Sequence, residues 1–274
     1  MNLLRAALLI VVVVGIAIAA MLFVRRKAPD GGYFNDSDRA AGVFGVLATG
    51  FALLLGFLVF LAFSSYDASR TGAETEALTV AQQVETAQFF AAQFAGELTG
   101  ELVCYARSVV HSEWDQMEAG ELDEEINPWA AELFRTLVNV QPSTASEEAA
   151  YGKWLDQTSS REEARSQRIH GAVGIIPTPL WVVLFFLAGT IFVYMLFFAD
   201  SGERAPVQAL LVGSVVATMT ALLLVLGFLD SPFSPDVGGL RPVAMERTLL
   251  IMDQALQVTG LDQPLPCDPV GNPL

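Results

Sequence analysis

Few side chains in this chain can do covalent or metal chemistry, and they are scattered. There are two histidines and two cysteines. His111 and His170 have no cysteine or carboxylate near them at ligand spacing, so no zinc or iron site is expected. Neither a phosphate-cradling glycine loop with its lysine, nor a dinucleotide fingerprint, nor a serine nucleophile turn occurs. The expectation is a protein that is not an enzyme and carries no cofactor and no metal. The acidic run Glu121, Asp123, Glu124 and Glu125 could attract cations, but a solvated loop or helix end is the plainer reading. Cys104 and Cys267 leave two alternatives. In an oxidising compartment they form a bridge that fastens a proline-rich tail to a helix and contributes about 2–4 kcal/mol. In a reducing one they stay free thiols.

These residues are held by elements that a bilayer must position. The mean hydropathy is +0.47 with 53% apolar residues, too oily for an ordinary soluble domain. A formal charge of −15 argues against nucleic acid as a partner, because phosphate binding needs clustered Lys and Arg. Apolar runs at about 6–24, 41–63, 178–199 and 207–229 each reach the ~20 residues that cross a hydrocarbon core. Arg5 precedes the first run while Arg25, Arg26 and Lys27 follow it, and MLFV fills the place of a cleavage site, so it reads as an uncleaved signal anchor.

The second run is the most informative stretch. Between Arg39 and Asp67 the only ionisable side chain is Tyr66. Gly45, Thr49, Ala52 and Gly56 recur at steps of three or four and share one helix face. Such a face lets another helix approach closely, or it lines an axis, with Phe57 and Phe60 available as an apolar gate. The fourth run repeats the theme. Gly213, Ala217 and Ala221 lie four apart beside Ser214 and Thr218, again suited to packing or to a pore. It ends at a turn, Asp230-Ser231-Pro232-Phe233.

Between the second and third spans the composition turns polar and helical. Residues 66–175 hold seven Lys+Arg against nineteen Asp+Glu. Ala87, Ala91, Phe94, Leu98, Leu102, Tyr105 and Val109 trace one stripe, with Gly96 and Gly100 marking a kink. Asn127-Pro128 opens a helix to about Val140, and Ser146 opens another to about Arg168. Little alternates with period two, so no sheet is expected. After Pro242 an amphipathic helix follows, with Leu249, Met252, Leu256 and Val258 on its apolar face, and then an extended tail. The expected fold class is an all-α integral membrane protein with four transmembrane helices and an extramembrane helical domain between the second and third spans. Its parts are 1–64 (two spans), 65–175 (acidic domain), 176–230 (two spans) and 231–274 (amphipathic helix and tail).

Four spans put both termini and the acidic domain on one side. Arg5, Arg70, Arg165, Arg168 and Arg241 flank the membrane there, against Arg25, Arg26, Lys27, Arg39 and Arg204 opposite, which is a tie. The basic cluster behind the first span favours extracytoplasmic termini and domain.

The order of features resembles a known family. The block GYFNDSDRAAGVFGVLATGFALLLGFLVFLAFSSYDASR with Glu76-Ala77-Leu78, YARSVVHSEW at 105–114, the Pro177, Pro179, Trp181 entry and LDSPF at 229–233 are similar to the bestrophin-like family of unknown function (DUF4239). The similarity runs from about Gly32 to Glu246. It implies a distant relation to bestrophins, which are pentameric anion channels with four spans and large helical extensions. The resemblance therefore implies a homo-oligomer in a lipid bilayer that passes small anions, with the second span along the axis. The alternative is a non-conducting membrane protein whose acidic domain binds a partner or senses the envelope. Pro232-Phe233 matches a Pro-Phe pair of bestrophins, but only Asp236 follows where they carry an acidic calcium cluster, so calcium gating is not implied. Bestrophins keep the helical part in the cytosol, which opposes the charge and cysteine argument.

Overall fold

A computed structural model describes residues 3–29, 32–120, 127–259 and 264–274, with side chains of 255–259 outside the description. All regular secondary structure among the described residues is helical, apart from one isolated bridge between Cys267 and Pro273. They divide into two compact units, residues up to Ser64 with Gly174–Asp230, and Ser65–Val173 with Ser231–Leu274.

The first unit holds the four helices long and apolar enough to cross a membrane: α1 (Leu3–Arg25), the first half of α2 (Ser37–Ala87), α7 (Thr178–Phe197) and α8 (Ala205–Leu229). Helix is the only open-ended form such runs can take in lipid, because each must satisfy its own backbone. Asp36 caps α2, its carboxylate accepting from the Arg39 N–H at 3.0 Å. Arg25, at the end of α1, donates to the carbonyls of Ser201 and Glu203, so part of the basic cluster ties α1 to the α7–α8 connection. Phe34 packs among Tyr194, Phe197 and Phe198. The start of α7 is stapled to the end of α8 by Asp230, whose carboxylate accepts from the N–H groups of Ile175 and Ile176 at 2.8 and 3.0 Å. The Trp181 indole reaches its other oxygen at 3.4 Å.

The second unit contains the rest of α2, α3 (Ala92–Ser108), a π turn (Val109–Glu113), α4 (Trp114–Ala119), α5 (Pro128–Asn139), α6 (Ala145–His170) and α9 (Val243–Thr259). Asn127 caps α5 by accepting from the Trp129 N–H, and Thr144 with Glu147 forms a capping box on α6. The core joins Leu98, Leu102, Tyr105, Leu133, Leu137, Trp154 and Met252.

Three expectations change. Helix α2 runs unbroken only to Ala87, and the stripe drawn through Ala87, Ala91 and Phe94 crosses a turn at Gln88–Phe90 closed by three i→i−3 bonds. Burial of Phe90 against Trp154 directs the chain there. Gly96 and Gly100 make no kink. Both are buried inside α3, and a Cβ on Gly100 would sit 3.5 Å from Pro266, so absence of a side chain serves tail packing. Residues 231–274 are also not a separate part, since they pack into the same unit as 65–173. Leu249 and Met252 do face that core, while Leu256, Val258 and the acidic run 121–125 lie outside the described residues.

Helices α2 and α6 cross at Gly72, where a Cβ would lie 2.6 Å from the Arg168 nitrogen and 2.7 Å from the Ala164 carbonyl oxygen. Both obstacles are backbone and cannot swing away. Gly72→Ala is therefore expected to cost about 1–3 kcal/mol by overpacking, despite alanine's better helix propensity. Gly152→Ala, with open space around it, is expected to hold or raise the melting temperature. Thermal unfolding of both variants in detergent, followed by circular dichroism, checks the contrast.

Candidate functional site

At 100° per residue, an α2 helix spanning the bilayer presents separable faces. Phe51, Leu55, Leu58 and Ala62 are buried within the first unit and form the packed face. Gly45, Thr49, Ala52 and Gly56 are exposed and lie about 120° around the helix from it. Added Cβ atoms at Gly45 or Gly56 would meet nothing within 4 Å. Phe60 and Phe57 are exposed too, about 50° and 110° further round the helix. Neither glycine of the small-residue face is therefore packed against another helix of the first unit.

The α8 series behaves differently. Gly213 is buried against α1, its missing Cβ leaving Ile18 and Val14 at 3.3 and 3.5 Å. Ala217 and Ala221 are half-buried. The Ser214 and Thr218 hydroxyls donate to their own helix, to Leu211 and Ser214 carbonyls at 2.9 Å each. Thr218 also lines an apolar groove of about 380 Å³ with Ala48, Ala52, Gly56, Ile191 and Met219. In the second unit Phe233 is buried edge-on to Trp114, 5.3 Å between ring centres, and Pro232 accepts from the Leu240 N–H at 2.8 Å. Cys104 and Cys267 are joined by a disulfide across 163 residues of sequence.

Sequence reasoning missed a charged cluster buried in the second unit. Arg168 has no solvent exposure and grips Glu76 with two bonds, Nε–Oε2 at 2.5 Å and Nη2–Oε1 at 3.0 Å. Its Nη2 also reaches Glu113 at 2.6 Å. The Tyr105 hydroxyl donates to Glu76 at 2.6 Å, and Asn127 donates to Glu113 at 2.8 Å. Arg165 approaches Glu113 at 3.4 Å, and the Arg161 guanidinium lies 4.9 Å from the Tyr105 ring centre while donating to Gln83. The π turn delivers Glu113 to this cluster, and α2 and α6 deliver Glu76 and the arginines. Burial alone would raise the Glu113 carboxyl, but Arg168, Arg165 and the hydrogen bonds outweigh it and hold it below its usual range. Burial pushes the Tyr105 hydroxyl well up, so it stays a donor. The available signal was Arg161, Arg165 and Arg168 at i, i+4, i+7 on one helix, a pattern that also fits a solvated face.

Glu101 is a second buried acid, one turn before Cys104. It accepts from Thr136 at 2.6 Å while its other oxygen has no hydrogen-bond partner. Burial, partly offset by Thr136 and reinforced by Glu97 and Glu132, pushes it up to about 7. Among the described residues no group of three His, Cys, Asp or Glu is placed to hold a metal ion.

Two predictions follow from these acids. The folded chain holds a proton on Glu101 between its ordinary value of 4.5 and about 7, so its contribution to stability falls as pH rises through that window. Glu101→Gln should therefore melt closer to the same temperature at pH 5 and pH 8 than the parent does. Glu76→Gln leaves Arg168 short of a charge in a dry site and should cost about 3–5 kcal/mol, seen as a lower unfolding midpoint.

Comparison with known proteins gives the family. A profile of the Bestrophin-like domain matches residues 5–238. No curated protein matches the chain. Among solved structures, a single-site variant of a bacterial Bestrophin homologue from Klebsiella pneumoniae superposes with TM-score 0.60 at 17% identity, covering 92% of this chain and 98% of that one. A second variant of a Klebsiella pneumoniae Bestrophin homologue gives 0.62 at 14% identity, covering 89% and 97%. A structure described as a membrane protein gives 0.62 at 14%, covering 89% and 98%. With four membrane helices, an all-helical fold of the same kind and a match over most of its length, the chain belongs to the Bestrophin-like family of multi-pass membrane proteins.

Proposed function

We propose that the protein is one subunit of an oligomeric ion channel in which the α2 helices of several copies surround a shared axis. The observation that carries this is the unused face of α2. A helix with one face packed inside its own subunit keeps four small residues and two phenylalanines exposed beside it. In a homo-oligomer the small residues let neighbouring helices crowd, and Phe57 and Phe60 form an apolar constriction that gates by wetting. The passenger is a small anion, an assignment that rests on the family resemblance. With no charge in the α2 span between Arg39 and Asp67, hydroxyls such as Thr49 and helix ends supply the attraction. No catalytic step forms part of this reading.

The second unit and both termini are assigned to the extracytoplasmic side. The Cys104–Cys267 disulfide supports this, since such bridges persist in oxidising compartments. The acid excess of residues 66–175 supports the rival account, a non-conducting protein whose acidic unit binds a basic partner.

Purified protein in liposomes is expected to release trapped chloride faster than empty liposomes. Gly56→Leu, whose Cβ meets nothing within 4 Å and whose longer side chain has an open apolar groove beside it, should keep the fold and cut the flux about tenfold or more by crowding the axis. Phe57→Ala should raise it. Absence of flux from folded, oligomeric protein removes the channel reading and leaves the partner-binding one. For sidedness, Ser146→Cys in intact cells should react with a membrane-impermeant maleimide, and labelling only after lysis reverses the assignment.

A further inference from the structure

The tail segment and the π turn meet at one place in the second unit. Residues 266–274 close on themselves. Leu274 N–H donates to the Pro266 carbonyl at 3.0 Å, Asp268 N–H to the Asn272 carbonyl at 2.9 Å, and the Asp268 carboxylate accepts from Val270 and Asn272 N–H at 2.9 and 2.8 Å. The loop is seated at four points, three on the last turn of α3 and one on α5. Cys267 is bonded to Cys104, and Arg107 donates to the Asp268 carbonyl at 3.2 Å. The Trp129 indole of α5 donates to the Gly271 carbonyl at 2.6 Å. Gly271, at φ +92°, lies so close that a Cβ would sit 2.8 Å from the Ser108 Cα. Only glycine fits there, on both conformational and steric grounds.

Ser108 is the residue after which the helix widens into the π turn, and Glu113 is the last residue of that turn. A π turn holds one residue more than an α turn, so losing it rotates everything beyond by about 100°. Glu113 would then leave Arg168, Arg165 and Asn127, and Trp114 would leave Phe233. A widened turn persists only where its surroundings hold both ends. Here one end is held by the seated loop and the other by the buried cluster.

We propose that the tail loop is a conformational latch. Seated on Ser108, it fixes the register of the π turn and through it the place of Glu113 in the buried cluster. The two contacts are coupled across five residues, and the coupling is reciprocal. This holds whether or not the protein conducts.

Amide hydrogen exchange on the full chain in detergent tests it. Gly271→Ala forces the loop off Ser108, and Trp129→Phe removes one of its anchors without adding bulk. In either variant, amides 109–114 are expected to exchange about tenfold faster while those in the middle of α6 keep the parent rate. In Glu113→Gln, the Gly271 and Leu274 amides should exchange faster in turn. The latch is overturned if the tail amides are released and 109–114 keep the parent rate. It is overturned equally if α3, α5 and α6 all loosen together, which is general destabilisation.

Discussion

A guanidinium with no access to water must find its counter-charges inside the protein, and Arg168 does so with two carboxylates from different parts of the chain. Its dry surroundings make each bond strong and each missing bond costly. Much of the second unit follows from that requirement. Helix α2 must run on past the membrane to bring Glu76. Helix α6 must cross it closely enough for Arg168 to reach, which Gly72 permits. The α3–α4 stretch must swell by one residue to aim Glu113, and Tyr105, Asn127 and Arg165 complete the shell.

The membrane unit obeys a different constraint. Lipid is as apolar as the helices, so hydrophobicity says nothing about which face meets which. Shape decides instead. On α8 the glycine is spent inside the first unit, where it admits Ile18 of α1, while Ala217 and Ala221 are half-buried. On α2 the equivalent residues are left open, while Phe51, Leu55, Leu58 and Ala62 do the internal packing. Two similar sequence patterns thus sit in different surroundings, Gly213 packed against α1 and the α2 glycines open. Polar groups at the span ends, Asp36 on α2 and Asp230 between α7 and α8, satisfy backbone amides where the helices begin.

Local features of the fold were legible because their causes are local. Asn127-Pro128 is read within four residues, and the Thr144–Glu147 box is nearly so, the start falling one or two residues before Ser146. The turn at Gln88–Phe90 was hidden because no glycine or proline marks it. It forms where Phe90 finds Trp154, a partner 64 positions away. The small α2 face was named in full from its spacing, yet spacing favoured packing without excluding a pore. Members of the buried cluster were named only on other grounds, Tyr105 in the stripe, Arg165 and Arg168 as cations flanking the membrane and Glu76 in the family block. Their meeting was not named, since Glu76 and Glu113 look like any of the nineteen acids in that segment.

By itself the amino-acid order determined that this is a four-span, all-helical membrane protein, because an uninterrupted apolar run needs only its own backbone bonds and surrounding lipid to be stable. It also named the two cysteines as a candidate bridge, with free thiols as the alternative. Tertiary structure alone decided which acid pairs with Arg168, 92 positions from Glu76, where the tail loop sits, and which of two small-residue faces stays open. Those outcomes depend on burial and on distances between segments remote in the chain, and no local pattern of residues encodes either.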